Sequence, residues 1–174
     1  MTTEPTPSLV LLGSPRLQRG STRVDLPDAL PGYLLAFLAT RGDWVLREEL
    51  SVLLWPDAAE PEAQNNLRVN LTRLRPRLAD WGIADALIAE RRRLRLTLGS
   101  DVARLRLGHA RGEWAATAQA VSGAFLDGMS FRAFPALAEW ARAERESLRA
   151  LWRDAVLRAA PGAAPQVRLE LAAQ

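Results

Sequence analysis

The sequence contains no cysteine and, among its 174 residues, a single histidine. Without cysteine there is no disulfide framework, no thiol nucleophile and no thiolate metal site. His109 stands between Gly108 and Ala110 on a helical stretch, with no nucleophile–base pairing in view, so it reads as structural or solvated. Neighbouring carboxylates such as Glu48-Glu49 point apart on a helix, and with Glu60 and Glu62 they read as a solvated acidic face rather than an acid–base pair. No glycine-rich phosphate loop is present. These absences set the expectation of a protein that is not an enzyme and carries no metal and no cofactor. Long hydrophobic runs are missing too. Leu9-Val10-Leu11-Leu12 is too short for a signal-peptide core or a membrane span, so the expected location is the cytoplasm, without export.

What is present is a folding composition, with 48% hydrophobic and 25% charged residues. The length suits one ordinary domain or two small ones. All 23 basic residues are arginine. Arginine is charged at every relevant pH, which lifts the pI to about 10.7 although the net charge is only +3. The pI therefore says little about partners, and the places where arginines cluster say more.

Along the chain, Leu9 to Gly13 is a β-rich apolar run that stops at Gly13-Ser14-Pro15. Thr22 to Leu26 alternates and closes at Pro27, which predicts two antiparallel strands. Pro31 to Arg41 predicts a helix stopped by Gly42. Trp44-Val45-Leu46 is an extended link, and a second helix covers about Arg47 to Trp55, before Pro56. Asp57 to Pro61 is a turn-rich acidic loop. The third helix, about Glu62 to Leu78, has one apolar stripe of Ala63, Leu67, Leu71, Leu74 and Leu78, and Pro76 predicts a kink or a stop near Arg75. Leu87 to Leu98 predicts a hairpin, with Leu94 to Leu98 as its outer strand and a turn near Glu90 to Arg92. Beyond Asp101 the periodicity is helical only. One helix is expected over about Leu105 to Val121, a loop over Gly123 to Ser130, a long helix over Pro135 to Ala159, and a linker over Pro161 to Pro165. The predicted division is residues 1–100 and 101–174.

Strand, strand, helix, helix, loop, helix, hairpin is the order of a winged helix-turn-helix, in which the third helix enters the major groove and the hairpin lies on the flanking backbone. On a helical wheel, Asn65, Arg68, Val69, Thr72 and Arg73 fall opposite the apolar stripe, flanked by Arg75 and Arg77. No acidic residue occurs from Gln64 to Arg77. Arginine suits phosphates or guanine, Asn65 adenine, Thr72 either purine or pyrimidine edges, and Val69 a thymine methyl. Taken alone, such a helix face reads more readily as a solvated surface. The hairpin turn adds Arg91, Arg92 and Arg93, a like-charged run that repels itself unless an anion is near, and a phosphate backbone is such an anion. The six tryptophans lie on or beside apolar stripes and read as core.

Several segments then resemble a known family. Leu9 to Gly13, Val24-Asp25-Leu26-Pro27, Leu34 to Ala39, Arg47-Glu48-Glu49-Leu50, Leu54-Trp55-Pro56-Asp57-Ala58 and Asn66 to Arg75 are similar to the OmpR-type winged helix of Streptomyces-antibiotic-regulatory-protein-type (SARP) activators. Asp101-Val102, Gly112-Glu113-Trp114, Gly123 to Gly128, Glu139-Trp140 and Glu144-Arg145 with Leu148 resemble that family's bacterial transcriptional activation domain, a tetratricopeptide-like helical array. The resemblance implies an α+β winged helix followed by a shortened all-α region. It also implies a sequence-specific activator that binds double-stranded DNA at direct repeats, and a module this small is expected there as a homodimer or side by side. Contact with RNA polymerase would run through the loop bearing Trp55, Asp57 and Glu60. The chain departs from the family at Arg92-Arg93, where a Gly-Tyr pair is usual. The rival reading is a helical protein-interaction module whose winged helix no longer binds DNA.

Overall fold

The computed structural model describes residues 5–159, so the expected linker at Pro161 to Pro165 lies outside the described residues. The chain folds as mixed α+β. Three short strands come first, β1 (Ser8–Val10), β2 (Arg16–Arg19) and β3 (Thr22–Asp25), followed by helix α1 (Leu30–Arg41). Next come β4 (Val45–Leu46), α2 (Arg47–Leu54), α3 (Glu60–Asp80), β5 (Leu87–Ala89) and β6 (Arg93–Leu96). The chain then runs through β7 (Gly99–Ser100) into α4 (Asp101–Ala110), α5 (Trp114–Gln119) and α6 (Pro135–Ala159).

Two small sheets result, one in the order β3-β2-β1-β7 and one in the order β4-β6-β5. Each corrects an expectation. The first contains a strand the sequence did not predict, because Arg16-Leu17-Gln18-Arg19 has a single apolar residue and owes its extended form to antiparallel pairing on both sides. In the second, β6 is the central strand rather than an outer one, since the Val45-Leu46 link pairs with it opposite Leu94 and Arg93. β7 lies parallel to β1.

The helices follow their periodicity, with two corrections. The stretch expected as one helix from Leu105 to Val121 is two. Gly112, at φ 73°, sits just past the α4 cap, its N–H bonds to the His109 carbonyl and the Glu113 N–H to that of Gly108. That is the left-handed C-terminal cap for which glycine carries no Cβ penalty. α3 neither stops near Arg75 nor ends at Leu78 but runs through Pro76 to Asp80. Pro76 and Thr72 are both exposed, so solvent can reach the Thr72 carbonyl that proline leaves without a donor.

One apolar core runs from Leu9 and Leu34 through Leu67 and Leu94 to Leu105, Phe125, Leu137 and Leu148, so residues on both sides of position 100 share it. Aromatic contacts join the two parts: Tyr33 lies 4.5 Å from Phe131 and Phe37 4.8 Å from Trp140, centroid to centroid. Asp101 is buried at the start of α4. Its carboxylate accepts from the N–H groups of Leu11 at 2.8 and 3.0 Å, Leu12 at 2.9 Å and Val102 at 2.9 Å. Among the described residues no helix is long and apolar enough to cross a membrane.

Candidate nucleic-acid interface

α3 buries the expected stripe, Ala63, Leu67, Leu71, Leu74 and Leu78, and so turns its other side outward. Asn65, Arg68, Thr72, Arg73, Arg75 and Arg77 are exposed. Val69 is half-buried rather than fully exposed, yet it is not among the side chains packed on the core. Polar groups on this face are partly organised already. The Arg68 Nη2 donates to Asn65 Oδ1 at 2.7 Å, and the Thr72 hydroxyl donates to the Arg68 carbonyl at 3.0 Å.

The turn between β5 and β6 comes back beside the start of α3. Leu46, Arg47, Asn65, Arg68, Arg91 and Arg92 line one cleft of about 810 Å³, and two carboxylates, Glu48 and Glu60, line it with them. Arg47 was not anticipated from sequence, where it reads only as the first residue of a helix. Its backbone N–H donates to the Arg92 carbonyl at 2.9 Å and its Nε to the Glu90 carbonyl at 2.9 Å, which ties α2 to the turn. Burial, and then the nearby charge of Arg75, push the Arg47 guanidinium below its ordinary pKa.

The arginine trio of the turn divides. Arg93 donates to Glu90 at 2.7 Å and lies over the Trp44 ring at 4.1 Å, and the Glu90 hydrogen bond raises its pKa. Arg91 and Arg92 make no ion pair among the described residues, and neither do Arg68, Arg73, Arg75 and Arg77. Arg73, Arg75 and Arg77 do not line the cleft. At 1.5 Å per residue Arg77 lies about 14 Å further along α3 than Arg68.

A solved structure shares this fold. The chain is similar to Mycobacterium tuberculosis EmbR, solved in complex with a low affinity phosphopeptide, at a TM-score of 0.62 and 22% identity. The likeness covers 89% of this chain and 46% of the EmbR chain, so the chain spans about half the length of the protein it matches. No protein-family model and no curated protein matches the sequence. The likeness to EmbR is one of fold.

The other candidate residues have ordinary surroundings. Trp55 is half-buried, 6.5 Å from Phe134, whereas Asp57 and Glu60 are exposed. His109 Nε2 is 2.9 Å from Asp154 Oδ2, and its ring meets Trp114 edge-on at 5.3 Å, which makes it a link between α4 and α6. Among the described residues no group of three or more His, Cys, Asp or Glu could hold a metal ion.

Proposed function

We propose that the protein is a cytoplasmic, non-enzymatic transcription regulator that binds double-stranded DNA through a winged helix formed by residues 1–100. In this reading α3 lies in the major groove, the β5–β6 turn rests on the flanking phosphates, and residues 101–174 form a tetratricopeptide-like helical region. The observation that carries it is the cleft in which Arg91 and Arg92 face the same space as Asn65 and Arg68: although Glu48 and Glu60 also line it, none of these three arginines forms an ion pair among the described residues. A run of unpaired arginines is self-repelling in water and is relieved by phosphate. The sequence resemblance to SARP activators supports the same reading, and the fold shared with EmbR is compatible with it. Selection from random duplexes with the purified chain, followed by binding over a salt series, is the test. Recovery of no motif, with affinity indifferent to salt, would overturn it.

The division of the turn arginines gives a sharper expectation. Arg91→Gln or Arg92→Gln should each lower the slope of log K against log salt by about one, on every sequence alike. Arg93→Gln should leave that slope nearly unchanged, because Glu90 already neutralises Arg93. Equal slopes for all three variants would refute the division.

Val69 is the residue expected to read a base without a hydrogen bond. Val69→Ala should cost less than about 1 kcal/mol of stability, as a half-buried side chain off the core. It should shift base preference at one position by about 1 kcal/mol. Binding to all four bases at each position, with melts alongside, checks both. A large stability loss with unchanged preference would place Val69 in the packing instead.

A small module covers only about 600–1,000 Å² of protein surface on DNA, so binding as a homodimer on repeated sites is proposed, with the mass of the complex as the check. Contact with RNA polymerase would fall to Asp57 and Glu60, since Trp55 is engaged with Phe134. One observation favours the second reading, a protein-interaction module. Leu46 and Val52 are 53% and 62% exposed beside a groove floored by Leu53 and Trp140. The salt series separates the two readings, because only the DNA reading requires a slope.

A further inference from the structure

A second cavity, of about 360 Å³, lies away from the arginine cleft, between residues 121–125, α6 and the chain just after β1. That volume falls within the range of small-molecule sites. Its apolar lining includes Leu12, Phe125, Leu148 and Trp152, and its charged lining is Arg145 and Arg149. The walls are fixed before any ligand arrives. The Gly13 N–H donates to the Ala124 carbonyl at 2.9 Å, the Leu126 N–H to that of Leu11 at 2.8 Å, and the Trp152 indole N–H to that of Ala118 at 3.0 Å.

The charges at the cavity lack a counterpart. Arg145 is half-buried and donates through Nε and Nη2 to the Phe125 carbonyl at 3.1 and 2.9 Å. Its remaining amino group, Nη1, makes no hydrogen bond among the described residues, and neither Arg145 nor Arg149 forms an ion pair there. The only acid between them in sequence, Glu146, forms no ion pair either. Arginines four apart on one helix face repel each other unless an anion sits between them. The free Nη1 of Arg145 is not enclosed, and Arg149 is exposed, so a ligand in the cavity can reach both.

We propose that this cavity binds a small organic anion, with its apolar body against Leu148 and Trp152 and a carboxylate or sulfonate on Arg145 and Arg149. Such a ligand touches Leu12 and α6 at once and so bridges the chain after β1 and the long helix. The site is independent of the DNA-binding reading and is tested without DNA.

The probes are 8-anilinonaphthalene-1-sulfonate and its uncharged analogue N-phenyl-1-naphthylamine, titrated into the full chain by fluorescence. One saturable site is expected for the sulfonate, with the uncharged analogue binding more weakly. Arg149→Gln should weaken the sulfonate about tenfold or more, the scale of a lost charged hydrogen bond, and leave the analogue unchanged. Ala124→Trp, an exposed position on the cavity wall, should abolish both while the melting temperature stays put. Three results would overturn the proposal: no binding by the full chain, equal affinity for the two probes, or a sulfonate site that survives Ala124→Trp. The second would mean an apolar surface without anion recognition.

Discussion

Asp101→Ala is expected to remove about 3–5 kcal/mol of folding stability, because it leaves buried backbone donors without acceptors, each worth roughly 1–3 kcal/mol. The carboxylate is 5% exposed and serves Leu11, Leu12 and Val102 together. Beyond Val10 the chain pairs only through a single antiparallel bridge, Leu12 to Phe125, which uses the Leu11 carbonyl and the Gly13 N–H, so the N–H groups of Leu11 and Leu12 find this side chain in place of a strand neighbour. Water cannot replace it, since Leu11 and Leu12 are 0% and 2% exposed. Asp101→Asn keeps one acceptor oxygen but turns an NH2 group toward backbone donors, so it should lose less than alanine and more than a surface change. Urea unfolding monitored by tryptophan fluorescence measures both. For a chain of this size the alanine variant should melt roughly 10 °C lower. A loss under about 1 kcal/mol would show that the N–H groups find other partners and that Asp101 is not the tie between β1 and α4.

Replacing Arg68, Arg91 and Arg92 together by glutamine is the substitution expected to weaken DNA binding most. If each neutralises one phosphate, the salt slope should flatten by about 3 and affinity near 0.1 M salt should fall roughly 10²–10³-fold. The fold should tolerate the change, because all three side chains are exposed and unpaired among the described residues. An unchanged melting curve with a lost slope would support the cleft as the nucleic-acid surface. Affinity that falls while the slope stays the same would mean that phosphate contacts lie elsewhere, with Arg73, Arg75 and Arg77 next to be examined.

Much of this was legible in the residues. The α3 stripe was, because burial on one side of a helix imposes its period on the sequence, and the same stripe determines which residues face outward. The extent of α6 was legible for the same reason, over all of Pro135–Ala159. The break at Gly112 had a signal, a glycine just past a helical run, but the alanine-rich sequence after it continues the helical pattern and hides the stop. β2 had almost none. A four-residue strand with one apolar residue, Leu17, carries too little alternation, and only the neighbouring strands make extended backbone favourable there.

By itself the sequence determined the switch from strand-and-helix to helix-only patterning, the buried stripe of α3, the absence of thiol chemistry and the concentration of arginine on α3 and the following turn. Each of these depends on near neighbours along the chain, where period, turn residues and charge runs are written directly. Tertiary structure alone decided that β4 completes the second sheet, that Asp101 reaches back to Leu11, that Arg93 is spent on Glu90 and Trp44, and that Arg47 joins the cleft. Most of these join residues distant in sequence, and such pairings are set by how the core closes rather than by any local preference.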